Sequence, residues 1–361
     1  MAVRYISGGE SHGKRLTCIL EGIPAGVKVS SEFVNNELAR RQEGYGRGGR
    51  MKIERDKAEF ISGIRFGETI GSPITLSVEN RDWENWTERM SAEGEESGKR
   101  VTNARPGHAD LTGAAKYSRA DVRDILERSS ARETTMRVAA GALCKIFLKT
   151  CGVEITSKVL SVGGATGDEE IRKRIDEAKA AGDTVGGIFE VKVSGVPTGL
   201  GSHIQWDKKI DGKFAAAFMS IQAIKAVELG DGFANATKFG SEVHDEIFID
   251  EGKIFRKTNR AGGFEGGMTN GEDLIIRAAM KPIPTLMKPL RTVDIATHTA
   301  TSAVKERSDT CAIWAASVVG EAMAAIVTAD AFTDKFGGDA LCDTLANLQH
   351  YRTRLAENFG L

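Results

Sequence analysis

Apolar residues recur along this chain in two periods. Over residues 131–151, Met136, Ala139, Ala140, Leu143 and Phe147 fall on one face, the spacing of a helix that buries one side, and Gly152 follows as a stop. The same reasoning predicts a helix over 31–42, with Ser31 at its cap and Phe33, Val34 and Leu38 on one side. A charged surface helix is predicted over 168–181, ending at Gly182, and two C-terminal helices over 308–329 and 340–357. Short β-rich runs bounded by turn residues predict strands at 60–64, 74–78, 155–162, 188–193, 247–250 and 274–278. Strands and helices do not alternate in a βαβ rhythm, which disfavours a doubly wound parallel sheet. The fold class expected is α+β, a single domain over residues 1–361. It carries a polar, exposed loop at 83–100 and a helical tail over 335–361.

Composition narrows the setting. Hydrophobic residues make up 41% and charged residues 27% of 361, a globular balance, and the formal net charge is -1. Such a chain has no overall pull toward nucleic acid or an anionic membrane, so neither is expected as a partner and any anion site must be a local concentration of Arg and Lys. Five scattered cysteines without a C-x-x-C pair point to a reducing compartment, with no disulfide framework and no metal site. The start, MAVRYISGGE, lacks an apolar run behind a basic stretch, and the most apolar segment, 312–327, is interrupted by Gly320 and Glu321 and reads as a buried helix. A cytoplasmic protein is expected. Glycine is abundant, 41 residues against 7 prolines, and clusters at 44–49, 199–201 and 262–271, where backbone can approach a ligand closely.

Several stretches carry candidate chemistry. Gly9-Glu10-Ser11-His12-Gly13 sets an imidazole on a tight loop, where it can exchange a proton with a ligand; alone, it is equally a turn with an incidental histidine. Arg40-Arg41-Gln42-Glu43-Gly44-Tyr45-Gly46-Arg47-Gly48-Gly49-Arg50 places four arginines among glycines, a basic loop able to wrap phosphate or carboxylate oxygens. Gly44, Gly46 and Gly49 satisfy G-x-G-x-x-G, but a helix precedes them where the dinucleotide fingerprint requires a strand. The string GRGGR resembles an RNA-binding Arg-Gly segment, yet it occurs once in a near-neutral chain. Arg105-Pro106-Gly107-His108-Ala109-Asp110 is a second Gly-His loop leading into a helix. In Arg128-Ser129-Ser130-Ala131-Arg132-Glu133-Thr134, Ser129 or Ser130 can cap the helix from Ala131, and serines and arginines at a helix start make an anion cradle. Farther on lie Ala261-Gly262-Gly263-Phe264-Glu265-Gly266-Gly267, Lys281-Pro282-Ile283-Pro284-Thr285 and Arg307-Ser308-Asp309; the last opens an apolar helix, where Asp309 is equally a simple cap.

Each string is weak alone, but their order is not. GESHG, RRxxGYGRGGR, RPGHAD, RSSARET, GxEGG, KPIPT and RSD in this succession resemble the chorismate synthase family from Gly9 to Glu321. Thr310 departs from the Pro or Val more often expected after Arg-Ser-Asp, and the loop 83–100 and the tail match no motif. The resemblance implies a β-α-β sandwich, helices between two antiparallel sheets, assembled as a homotetramer. It implies 1,4-elimination of phosphate from 5-enolpyruvylshikimate 3-phosphate with reduced FMN. His12, His108 and Asp309 are the catalytic residues so implied; Ser11, Arg41, Arg47, Arg50, Ser130 and Arg132 are the substrate contacts. Arg128, Ser129, Ser130, Gln222, Ala223, Gly266, Lys281, Pro282, Ile283, Pro284, Thr285 and Arg307 are the implied FMN contacts. Two sources of reduced flavin stay open: NADPH used by this chain, with Arg41 and Arg47 as contacts, or a separate flavin reductase. Another FMN protein acting on a phosphorylated acid is the competing enzyme reading.

Overall fold

The structure is a computed structural model that describes residues 2–48, 56–304 and 309–361. Two four-stranded antiparallel sheets form its outer layers. The first contains β1 (Arg4–Gly8), β2 (Arg15–Glu21), β3 (Ala58–Ser62) and β4 (Ile74–Glu79), in the spatial order β1-β2-β4-β3. The second contains β5 (Glu154–Val162), β6 (Gly187–Ser194), β7 (Ile224–Leu229) and β8 (Leu274–Met280), in the order β5-β6-β8-β7. Alternation decides which face is inward: Leu16, Cys18 and Leu20 of β2 and Ile74, Leu76 and Val78 of β4 are buried, whereas Ile19 between them is exposed.

The α-helices longer than one turn among the described residues are α1 (Ser31–Gln42), α2 (Asp110–Tyr117), α3 (Arg123–Ser129), α4 (Thr134–Thr150), α5 (Asp168–Ala180), α6 (Ile210–Met219), α7 (Ile313–Phe336) and α8 (Leu341–Phe359). Helix α4 packs on β2 and β4 of the first sheet, α7 packs on β5 and β6 of the second, and α4 and α7 pack on each other. The result is the expected sandwich, with one hydrophobic core running from Val3 to Leu348 through both sheets. Met136, Ala139, Ala140, Leu143 and Phe147 of α4 all lie in that core. By length and composition α7 could cross a membrane, but 94% of its apolar window is buried among the other layers. Its apolarity is that of a helix with neighbours on every side.

Two boundaries differ from expectation for a local reason. The cap of α1 is Ser30, which accepts from the Phe33 N–H at 3.2 Å, one residue before Ser31. The apolar C-terminal helix starts at Ile313 and not near Ser308, because Asp309 is engaged elsewhere and does not cap it.

Candidate functional site

The site is assembled from connections between elements. The loop joining β1 to β2 carries Ser11 and His12. Gly9 opens it with φ +103°, and a β-carbon there would stand 2.4 Å from the Arg15 carbonyl oxygen, so the hairpin closes only with glycine. The loop then docks on the end of α3: the Ser11 N–H donates to the Glu127 carbonyl at 3.1 Å and the His12 N–H to the Glu127 carboxylate at 2.8 Å. Nδ1 of His12 lies 2.9 Å from Glu127 Oε1, and its ring stacks on Trp86 with centroids 3.9 Å apart. Arg128 holds the same loop by donating to the carbonyls of Ser7 and Gly9 at 2.9 and 3.2 Å. Ser130 donates to the Ser11 hydroxyl at 3.2 Å and accepts from the Arg132 N–H at 3.3 Å, capping the short turn that leads into α4.

Next to the serines sits a cationic cluster. Arg41, at the end of α1, is buried and donates to Asp56 at 2.9 Å and to the Thr134 hydroxyl at 3.3 Å. Arg132 reaches the other oxygen of Asp56 at 3.3 Å. Burial pulls the Arg41 guanidinium below its ordinary pKa; Asp56 opposes this, while Arg47 and Arg132 are near enough to add to it by repulsion. Arg41 and Arg132 share the single carboxylate of Asp56, with the Arg47 charge nearby, an arrangement that favours an incoming anion. The buried Nε of Arg41 has no hydrogen-bond acceptor among the described residues.

The basic loop is fastened to the segment before α7. Arg47 pairs with Asp309 at 2.8 Å, the Gly48 N–H donates to Asp309 at 2.6 Å, and the Thr310 N–H donates to the Gly46 carbonyl at 2.8 Å. Gly46 has φ +86°, and a β-carbon there would press on Ile175 at 2.9 Å. Asp309 is thus a partner of the basic loop, which corrects its reading as a helix cap. Arg50 and Arg307 lie outside the described residues, as does Ser308.

The second histidine belongs to a neighbouring group. His108 pairs with Asp110, the buried first residue of α2, and Arg105 binds the same carboxylate at 2.8 Å. The adjoining Gly107 carbonyl accepts from the Lys281 ammonium, and the Lys281 N–H donates to the Ala223 carbonyl at 2.9 Å. Gln222 donates to Glu133 at 3.0 Å, and Glu133 accepts from Ser7 at 3.1 Å, so this group meets the first along β1. The 281–285 segment is held by the Thr184 hydroxyl, which donates to the Ile283 carbonyl at 2.7 Å; Thr285 is buried. Pro282 and Pro284 bracket that carbonyl. Ser129 donates to Ile125 at 2.7 Å within its own helix. Gly266 stands apart, at the turn of a short hairpin, with open space where a β-carbon would be; no contact among the described residues joins it to the rest.

Ser11, His12, Ser130, Arg132 and Arg41 are therefore linked in one network through Glu127 and Asp56, with the Arg47 of the Arg47–Asp309 pair near enough to Arg41 to repel it, and His108, Gln222, Ala223 and Lys281 form an adjoining group. Sequence reasoning named the arginines and histidines but missed Asp56, Glu127, Glu133 and Trp86. Glu133 lies inside a quoted string without a role and Glu127 directly precedes it, whereas Asp56 and Trp86 carry no such signal. Fold and site together define an α+β protein with a partly buried arginine cluster bordered by two histidine–carboxylate pairs.

Comparison with known proteins gives the family. The family model for chorismate synthase matches residues 3–333. The chorismate synthase of Geobacter sulfurreducens is 54% identical over 97% of this chain and 98% of its own length; that of Aquifex aeolicus is 53% identical over 97% of each. A crystal structure of a chorismate synthase superposes with a TM-score of 0.80 and 42% identity, covering 99% of both chains. The chain belongs to the chorismate synthase family.

Proposed function

We propose that this chain converts 5-enolpyruvylshikimate 3-phosphate to chorismate by anti 1,4-elimination of phosphate, a phosphate-lyase reaction at the last common step toward the aromatic amino acids. A C–O bond to phosphate and a distant C–H bond break and one C=C bond forms, so the reaction has no net redox change. The observation that carries the reading is the cluster of Arg41, Arg47 and Arg132, mutually repelling, partly buried, and next to Ser11, Ser130 and His12. A phosphate and two carboxylates bring about three to four negative charges near neutral pH, which guanidinium groups pair with bidentately.

In this reading Arg41, Arg47, Arg50 and Arg132 bind and orient the substrate anions, with Ser11 and Ser130 alongside. His12 donates a proton to the departing phosphate. Asp309 would work with the flavin on the ring hydrogen once the substrate anions engage Arg47.

The residues of the second network fit FMN. Gln222 is anchored through Nε2 on Glu133, while its buried Oε1 has no hydrogen-bond partner among the described residues. Ala223 holds φ +67°, a conformation that side-chain-bearing residues seldom adopt, and places its carbonyl on Lys281. Arg128, Ser129, Ser130, Gln222, Ala223, Gly266, Lys281, Pro282, Ile283, Pro284, Thr285 and Arg307 would hold the cofactor. When bound in reduced form, FMN supplies electron density as phosphate leaves and recovers it as the hydrogen departs. His108, pinned by Asp110 and Arg105, would keep the proton balance at the cofactor.

Assembly as a homotetramer belongs to the same proposal. Ile6, Ile19 and Ile61 on the outer face of the first sheet are exposed and suit a contact between copies. A cytoplasmic setting accords with five free cysteines.

The test is anaerobic incubation with reduced FMN and the substrate, which should release one phosphate per chorismate; phosphate without chorismate would defeat the proposal. Adding NADPH and oxidised FMN in place of reduced flavin then decides the reductant source. Product without another protein means that this chain reduces its own flavin, and none means that a separate reductase does so.

A further inference from the structure

The side chain beneath His12 is a buried carboxylate, and its reach is specific. Glu127 touches His12 twice, through the backbone N–H at 2.8 Å and through Nδ1 at 2.9 and 3.0 Å from its two oxygens. Its side chain is only 1% exposed, and Arg123 supplies the balancing charge at 2.9 Å. The far face of the imidazole is covered by Trp86, with planes 26° apart; the indole N–H is fixed by Asp82 at 2.9 Å and the Arg123 guanidinium lies 5.2 Å from the indole centroid. The loop 83–100, which matches no motif, thus delivers a residue to the site.

A buried carboxylate costs several kcal/mol unless it is paired and hydrogen-bonded. Burial alone would raise the Glu127 pKa, yet the hydrogen bond from His12 and the charge of Arg123 bring it below the ordinary range. An ionised carboxylate has no proton to give, so Nδ1 must be the donor in this contact. The ring nitrogen that exchanges protons with a ligand is then Nε2.

We infer that Glu127 is a positioning residue for the proposed reaction: it fixes His12 in the Nδ1–H tautomer and directs proton donation through Nε2. The inference rests on the proposed role of His12. In the step, the Nε2–H bond of the imidazolium breaks and an O–H bond forms on the departing phosphate. The imidazole is left neutral, its remaining proton on Nδ1 and held by Glu127. Trp86 and the backbone contact keep the ring from turning over.

The six histidines make selective ¹⁵N labelling of the full chain tractable, with His12→Ala assigning the signal. Neutral His12 in the unaltered protein should carry its proton on Nδ1. In Glu127→Gln the signal should move toward the Nε2–H tautomer, while kcat falls about 10–10²-fold, KM stays within about threefold and FMN binding is kept. An Nε2–H tautomer in the unaltered protein overturns the inference, even if Glu127→Gln fails to fold. So does a Glu127→Gln enzyme with normal kcat, or one changed only in KM. Normal turnover by His12→Ala would remove the donor role itself; an inactive His12→Ala beside a normal Glu127→Gln would remove only that of Glu127.

Discussion

Arg47 pairs with Asp309, and this pairing was invisible in the sequence because 262 positions separate the two residues. The histidines were legible for the opposite reason: each sits inside a short string whose glycines and neighbours mark it. Their carboxylate partners divide along the same line. Asp110 lies two residues from His108 and was quoted with it, whereas Glu127 reaches His12 from another element. Asp110 also yields a pH prediction. Burial would raise its pKa, but the His108 and Arg105 contacts hold the carboxyl far below the ordinary range. A folded pKa below the unfolded value of about 3.9 gives stability that is present above that pH and is lost as pH falls toward the folded value. Asp110→Asn should therefore cost about 3 kcal/mol at pH 7, and its deficit should narrow below about pH 4. Urea midpoints across pH 7 to pH 3 read this out; a deficit that does not change with pH would contradict it.

At the scale of elements, a buried ion network ties the helical layer to the second sheet. Glu321 in α7 accepts from Arg40 of α1 at 2.8 Å, from Lys145 of α4 and from Ser157 of β5, and Glu37 accepts from the same lysine at 2.6 Å. The neighbour of Arg40 is Arg41, so the network fixes the end of α1 that presents it to Asp56. Glu321→Ala leaves Lys145 buried with half its partners, and should lower stability by about 3–5 kcal/mol in urea unfolding. A loss below about 1 kcal/mol would mean that the network is not a structural tie. Sequence patterning found α1, α4, α5, α7 and α8 and six strands, the strands from β-rich runs bounded by turn residues; those at 58–62 and 247–250 bury no residue fully. It found neither β1, whose residues are exposed or half-buried throughout, nor β2, although Leu16, Cys18 and Leu20 alternate inward, nor β7, mostly half-buried, nor the short α3, nor α6, whose Gly212 weakens the helical signal. The start of α7 was set too early because a carboxylate before an apolar run looks like a cap until its true partner, the Gly48 N–H, is seen.

Across the whole molecule, the candidate site draws on segments from residue 11 to residue 309, joined by contacts between loops and helix ends. Composition and period reached α+β and no further; the sandwich came from the ordered succession of strings, and the sheets bear it out. The central claim is that this arginine cluster, with flavin bound beside it, runs an elimination without net redox change. That claim is tested most directly by counting reductant. With flavin reduced once under anaerobic conditions and substrate in excess, the enzyme should form many chorismate molecules per FMN while the flavin ends each cycle still reduced. Consumption of one equivalent of reductant per chorismate, or turnover with oxidised FMN in air, would contradict the account.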